Sequence, residues 1–341
     1  MIIIPYAIVR LSQVTSSSVL RTKLFAHLET MRPYTVLWCG LVSLVGACVA
    51  IGALPSTLIT LLVLFIPMMG WIAGLYLSDY LDRNLDVIQK PHRPIPSGRI
   101  RPNEAILVGA LFALTGFFLA FFLPFYNTVL VFLVALLVFL YTYISKSRGL
   151  SGNVNRGLVT VAAYFFGVFA TNTSLSSLPP YVWLLSIVFL LHDTNSNLVG
   201  AIRDIDGDRK GGYRTIPVVY GVKISMYLSL LLTAVWLPAS LILPWYYHFL
   251  SIHFYLVMII DVIILFLLYL YLARSLTSYS REKGLRFHEF FVIERITLAS
   301  AFLFGTADIA IALCIYLIAL LVTSGSQYLL RKRYEFQVNH S

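Results

Sequence analysis

Charge is scarce in this chain. Only 12% of its 341 residues are Asp, Glu, Lys or Arg, against about a quarter in an average soluble domain. No polar block is long enough to form a soluble domain, and no solenoid-type repeat, low-complexity tract or Ser/Gly linker is visible. Cysteine is nearly missing too. Cys39, Cys48 and Cys314 have no CxxC spacing, which argues against a thiolate metal site or dithiol redox motif and leaves core packing. The first residues, MIIIPYAIV, lack the positive flank and the length of a secretory signal.

What is abundant is apolar sequence: 59% of residues are hydrophobic. Runs long enough to cross a bilayer, roughly 17 to 25 residues, recur along the chain. They predict an all-α integral membrane bundle of about nine spans: 34–53, 58–80, 104–124, 127–143, 157–172, 181–203, 224–243, 253–273 and 293–323. The fifth is short, and the last is long enough to tilt or break. Residues 19–31, after the cap signals Ser16 to Ser18, read as an interfacial amphipathic helix.

The 25 Lys and Arg residues test that count. The loops after spans 1, 3, 5 and 7 contain none; nearly all lie after spans 2, 4, 6 and 8, with Arg10, Arg21, Lys23 and Arg32 before span 1. This alternation is the positive-inside pattern, and it predicts a multi-pass cell-membrane protein with its N-terminus and even-numbered loops in the cytoplasm. Arg331 to Arg333 break the pattern if the spans number nine. The net charge of +10 therefore reflects orientation and anion handling, and nothing else favours nucleic acid as a partner.

The acidic residues cluster instead of scattering. "SDYLDRNLDVIQKPHRPIPSG", residues 78–98, follows the second span, and Ser78, Asp82 and Asp86 share one face if the helix continues past the membrane edge. "NLVGAIRDIDGDRKGGYRTIPVVYG", residues 197–221, ends the sixth span with Asp204 and Asp208 again four apart. Each cluster leads into a basic, proline-containing turn, around Arg93 and around Arg214, so the chain carries an internal pseudo-repeat holding six of its nine aspartates. Carboxylates aimed at one point repel unless cations lie between them. Mg²⁺ is typically held by one or two carboxylates plus substrate phosphates. Two facing Asp pairs suit a Mg²⁺-bridged diphosphate, with Arg and Lys of the adjoining loops on the remaining phosphate oxygens. Isolated acidic loops that merely solvate helix ends would not come in matched pairs.

Span 6 is polar before its motif. Asp193, Asn197, Gly200 and Asp204 fall on one helix face, where acceptor contact and inter-helix hydrogen bonding are both open readings. Asp261 and Asp308 read as isolated, structurally paired acids, and Glu294 with Arg295 as a local ion pair.

The two motifs resemble those of the UbiA superfamily of intramembrane prenyltransferases, whose signatures are Asn-Asp-x-x-Asp-x-x-x-Asp and Asp-x-x-x-Asp. "DYLDRNLD" with "RPIPSG" matches the first and "RDIDGDRKGGYRTIPV" the second, with the likeness covering roughly residues 32–323. The family's leading Asn is Ser78 here. Of the family's Tyr-x-x-x-Lys after span 4, the stretch "YTYISKSRG" transfers only Lys146.

The resemblance implies nine spans with both motifs on cytoplasmic loops. It also implies Mg²⁺ on Asp82, Asp86, Asp204 and Asp208, these four being the catalytic set, and substrate contacts from Ser78, Asp79, Arg93, Lys146, Asn197 and Arg214. It divides the chain into an interfacial segment (1–33), a transmembrane prenyltransferase domain (34–323) and a basic tail (324–341). The implied reaction moves a polyprenyl group from an allylic prenyl diphosphate to a lipophilic acceptor, either a glycerol-phosphate lipid or an aromatic quinone precursor. A terpene cyclase using the same aspartates without an acceptor is the alternative, and a non-catalytic lipid-phosphate carrier the alternative of another class. Beyond the bilayer and these substrates, no partner or oligomeric state follows.

Overall fold

The computed structural model describes residues 16–171, 174–275 and 279–336. They form a bundle of helices. α1 (Ser16–Met31) precedes α2 (Pro33–Ile51), α3 (Thr57–Leu81) and the short α4 (Arg83–Gln89). Next come α5 (Pro102–Ala120), α6 (Phe125–Leu140), α7 (Ser151–Ala170) and α8 (Pro180–Arg203), then the short α9 (Ile205–Lys210). The chain continues with α10 (Ile216–Tyr247), α11 (Ile252–Ser275), α12 (Arg281–Thr306) and α13 (Ile309–Ser326).

Punctuation in the sequence explains the boundaries. Proline opens α2, α5 and α8 at its first position, where a missing N–H costs nothing. Gly52 closes α2 in the left-handed conformation (φ 69°). On α1, Leu20, Leu24 and Leu28 form an exposed stripe one turn apart, as an interfacial helix requires. Its other side is tied down by Lys23 to Glu104 (3.0 Å), His27 to Tyr76 (2.7 Å) and Arg99 to Glu29 (2.7 Å).

Inside the bundle, small residues set the closest approaches. A β-carbon on Gly167 would sit 1.7 Å from the Ser43 carbonyl oxygen, and one on Gly46 2.0 Å from that of Tyr164. The crossing of α2 and α7 therefore tolerates no side chain there, which is how helices associate when burial gives no solvent advantage. The outer surface is the reverse: Phe118, Phe122, Phe132, Leu136, Phe266 and Leu321 are exposed on helices that face lipid.

Among the described residues, eight helices are long and apolar enough to span, not the expected nine. α7 and α12 fall short in apolarity because they are wrapped by other helices and carry polar residues inward. The predicted span 293–323 is in fact two helices. Among the described residues Asp308 pairs with no cation; it caps α13, its carboxylate accepting from the N–H groups of Ala310 (2.9 Å) and Ile311 (3.3 Å). α13 then runs back antiparallel to α12, since Tyr316 meets Thr297 (3.1 Å), Gln327 reaches the Glu289 carbonyl (3.3 Å) and Arg331 bonds His288 (2.7 Å). Arg331 thus returns to the end of the bundle that carries the acidic motifs, and its break in the charge alternation disappears.

The local pairs also differ from expectation. Adjacent helical residues point about 100° apart and do not face each other. Glu294 lies 3.1 Å from His192, while Arg295 donates to Ser196 at 3.0 Å, and all four are buried. Asp261 is fully buried in the field of Glu294, with no hydrogen-bond partner among the described residues. Cys39 and Cys48 are buried as expected, but Cys314 is exposed on the outer face of α13.

Candidate active site

Both acidic motifs open onto one cavity of about 680 Å³, enclosed by α2, α3, α5, α6, α7, α8, α12 and the connections at one end of the bundle. The helix does carry past the end of α3. Asp82 bends the chain (φ −79°, ψ −4°) but keeps the hydrogen-bond ladder, with Asp82 N–H on the Ser78 carbonyl and Asp86 N–H on that of Asp82, both 2.8 Å. Ser78, Asp82 and Asp86 therefore remain on one face and line the cavity. The second motif repeats the device: Asp204 N–H bonds the Gly200 carbonyl (3.1 Å) and Asp208 N–H that of Asp204 (2.9 Å).

A small parallel bridge holds the mouth together. β1 (Arg148–Gly149) pairs with β2 (Arg214–Thr215), the Arg214 N–H donating to the Ser147 carbonyl (2.9 Å). It places Lys146 and Thr215 on the rim of the cavity. Arg214, expected among the substrate contacts, is exposed and does not line the cavity; its neighbour Thr215 does, donating to Asp208 Oδ2 at 3.2 Å.

Almost every motif carboxylate already holds a basic partner. Arg93 donates through Nη1 to Asp86 (2.6 Å) and Asp79 (3.3 Å), and Arg32 also donates to Asp79 (2.6 Å). Lys146 donates to Asp82 Oδ2, which also accepts from Ser78 Oγ at 3.4 Å. Arg203 grips both oxygens of Asp204 at 2.9 and 2.6 Å, and Lys90, from the first motif's loop, lies 3.7 Å from the same carboxylate. That last contact ties the two motifs across the mouth.

The titration directions follow from these contacts. Burial pushes Asp204 upward, but Arg203 and Lys90 outweigh it and hold the carboxyl well below its usual range. Asp208 has no such cation bonded to it, and burial plus the charge on Asp204 raise it to about 6. Desolvation lowers Lys90 despite the pull of Asp204, whereas Asp82 overcomes burial and raises Lys146.

Asn197 lines the cavity one level in, accepting from Asn153 Nδ2 (3.0 Å), and Asp193 and Gly200 on the same face line it too. Deeper still lies an apolar corridor whose wall includes Ile66, Gly70, Gly116, Phe117, Val131 and Val134. Sequence reasoning missed Arg32, Arg203 and Thr215, and had Lys90 only as one of the basic residues that follow the first motif. Only Lys90 and Arg203 carried a usable signal, as bases directly beside the motifs.

No three Asp, Glu, His or Cys side chains among the described residues converge tightly enough to hold a metal unaided. Four carboxylates in two pairs nevertheless ring one mouth. That donor set fits Mg²⁺ arriving with a phosphate that completes its shell, better than a preformed all-protein cage.

A membrane-embedded helical bundle, with a carboxylate-ringed mouth and an apolar corridor inside it, defines an intramembrane enzyme for amphiphilic diphosphates. The chain belongs to the UbiA prenyltransferase family, whose model matches residues 36–293. It is similar to the digeranylgeranylglyceryl phosphate synthase of Methanobrevibacter smithii, 30% identical over 263 residues that cover 75% of this chain and 90% of that one. A solved digeranylgeranylglyceryl phosphate synthase structure is 26% identical with TM-score 0.62, covering 83% of this chain and 98% of that one. A UbiA homologue from Archaeoglobus fulgidus, solved with GPP and Mg²⁺, shares the fold at TM-score 0.55 and 14% identity over 89% of this chain and 99% of that one.

Proposed function

We infer that this prenyltransferase takes an allylic polyprenyl diphosphate with Mg²⁺ at the mouth and transfers its prenyl group to a hydroxyl of a glycerol-phosphate lipid. The observation that carries this reading is the pair of Asp motifs facing one cavity, linked across it by Lys90. The acceptor class is supported by the relatives, which are digeranylgeranylglyceryl phosphate synthases.

Asp82, Asp86, Asp204 and Asp208 would hold the metal. Mg²⁺ bound there neutralises charge on the departing diphosphate as a Lewis acid. Arg93, Lys146 and Lys90 now sit on the same carboxylates. With Mg²⁺ held there, these three bases would be free to donate to phosphate oxygens, which would keep the charge at the mouth compensated. Ser78 supports Asp82, and Asp79 anchors Arg32 and Arg93. The corridor behind the mouth excludes water from the developing allylic cation and receives the tail. Asn197 stands between mouth and interior, placed to contact the acceptor. The charge alternation, with Arg331 now at the motif end, supports a cytoplasmic N-terminus and a cytoplasmic mouth.

The test is purified protein with Mg²⁺, prenyl diphosphates of several lengths, and glyceryl phosphate or phenolic acceptors, read by mass spectrometry. A prenylated glyceryl ether phosphate is the expected product. A cyclised hydrocarbon formed without acceptor would sink the transferase reading.

A further inference from the structure

About 16 Å along α8 from Asp204, at 1.5 Å per residue, the cavity wall carries a second polar cluster that the diphosphate site does not use. Its members come from four helices: Cys39 of α2, Arg156 of α7, Asp193 of α8 and Arg295 of α12, all lining the cavity. They are near enough for the charges of Arg156, Asp193 and Arg295 to act on one another and on Cys39.

The cluster is incompletely satisfied. Arg295 is 5% exposed and Asp193 2%. Arg295 spends Nη1 on Ser196, while its Nε and Nη2 are buried without an acceptor. Asp193 Oδ2 is likewise buried without a donor, and so is Arg156 Nε without an acceptor. Among the described residues, no ion pair joins any of the three. Glu294 faces His192 and, among the described residues, makes no ion pair with its neighbour Arg295. The two guanidiniums are held by stacking: Arg156 lies 3.8 Å over the Trp71 ring and Arg295 5.1 Å over that of Trp38.

One buried and one half-buried cation, a buried carboxylate and open hydrogen-bonding positions of both kinds are costly unless a ligand completes them. A ligand that suits this cluster must accept from two guanidiniums and donate to one carboxylate. A phosphate monoester carrying a nearby hydroxyl has both capacities in one headgroup. Planar, multi-donor guanidiniums suit phosphate oxygens.

We propose that Arg156, Asp193 and Arg295 form the headgroup subsite of the acceptor, the two arginines binding its phosphate and Asp193 orienting its hydroxyl. This assignment rests on the glycerol-phosphate acceptor reading above. It places the acceptor headgroup among side chains of α2, α7, α8 and α12, a different set from the α3, α5 and α6 residues that line the donor-tail corridor. Donor and acceptor thereby enter one cavity without competing for the same residues.

The experiment uses the purified full chain with geranylgeranyl diphosphate and Mg²⁺. The acceptors are a mono-prenyl glyceryl phosphate, its dephosphorylated alcohol, and 4-hydroxybenzoate. Arg295→Gln and Arg156→Gln should each raise KM for the glyceryl phosphate by about 10- to 100-fold, as loss of hydrogen bonds to a charged group predicts, with donor KM unchanged. Both should erase the wild-type preference for the phosphate over the alcohol, and Arg295→Lys should restore part of it. Asp193→Asn should raise KM for both glyceryl ethers alike, because it acts on the hydroxyl they share. Arg156 is partly exposed, so its variant keeps the test open if Arg295→Gln fails to fold. Retained phosphate preference in the Gln variants, or donor KM rising in step, would overturn the subsite. If wild-type protein turns over only 4-hydroxybenzoate, the acceptor reading fails. The cluster is then judged on that substrate, and an unchanged KM in the variants overturns it too.

Discussion

Asp86→Asn and Asp208→Asn should abolish turnover alike yet move stability in opposite directions. Asp86 is 3% exposed and accepts from Arg93 at 2.6 Å. Removing one partner of a buried ion pair costs about 3 to 5 kcal/mol. Arg93 keeps Asp79 at 3.3 Å and its side chain is 20% exposed, so the loss here is nearer about 1 to 3 kcal/mol after screening. Among the described residues Asp208 has only the Thr215 hydroxyl as a partner, and burial with the charge of Asp204 raises it to about 6. A carboxyl whose folded pKa lies above its unfolded value destabilises the fold once it ionises. That penalty is fully present above pH 6 and disappears as the pH falls below about 4. Asp208→Asn removes it, a gain of about 1 to 2 kcal/mol at pH 7 once partial exposure is discounted. Thermal unfolding of metal-free protein in detergent at pH 7 and pH 4, beside turnover with Mg²⁺, reads both effects. Turnover should fall at least about 10²-fold in each variant, the order seen on loss of one transition-state stabiliser. Equal destabilisation by both substitutions, or near-normal turnover in either, would refute the reasoning.

Ser78→Asn should be tolerated, with less than about a tenfold change in turnover, or roughly 1.4 kcal/mol. Ser78→Ala should cost more, since Asp82 loses its hydroxyl donor; equal rates for wild type and Ser78→Ala would remove this position from the site. Gly70 lines the cavity with open space where a β-carbon would go, so Gly70→Phe should shift donor use toward shorter chains. An unchanged chain-length profile by mass spectrometry would count against the corridor. Cysteines introduced near Ser177, on a background lacking the native three, should react with an impermeant thiol reagent outside the cell, and cysteines near Lys210 should not; the reverse would invert the orientation. Mg²⁺ alone should barely move the melting temperature, whereas Mg²⁺ with a non-reactive prenyl thiodiphosphate at 100 times its Kd should add about 2.7 kcal/mol. A large shift with Mg²⁺ alone would point to a preformed metal cage.

The hydropathy of the chain made most of the bundle legible because lipid selects apolar surfaces, and α3, α5, α6 and α11 face lipid along their length. It failed where a helix is shielded by its neighbours. α12 carries Glu294 and Arg295 because protein, not lipid, surrounds them. The break into α12 and α13 was hidden because Asp308 reads in sequence as a stray acid in an apolar run, and its role as a cap is visible only when its carboxylate meets the N–H groups of Ala310 and Ile311.

The motif aspartates were legible for a different reason: four-residue spacing on a helix fixes a common face without any knowledge of the fold. Their partners were not. Arg32 lies 47 residues from Asp79 and Lys146 lies 64 from Asp82, separations that no local pattern encodes. This also corrects one inference drawn from the motifs alone. Paired carboxylates suggest repulsion held in check by metal, yet Asp82 and Asp86 are each neutralised by a base from the loops and Asp204 by Arg203 at the end of α8. Only Asp208 is left to carry the strain. On the reading proposed above, the same lysines and arginines would serve phosphate oxygens with metal on the carboxylates, so loading the site would be an exchange of partners. Such a site need not bury an unpaired charge at Asp82, Asp86 or Asp204 in either state, which is how three of the four motif aspartates can be kept at the edge of a bilayer.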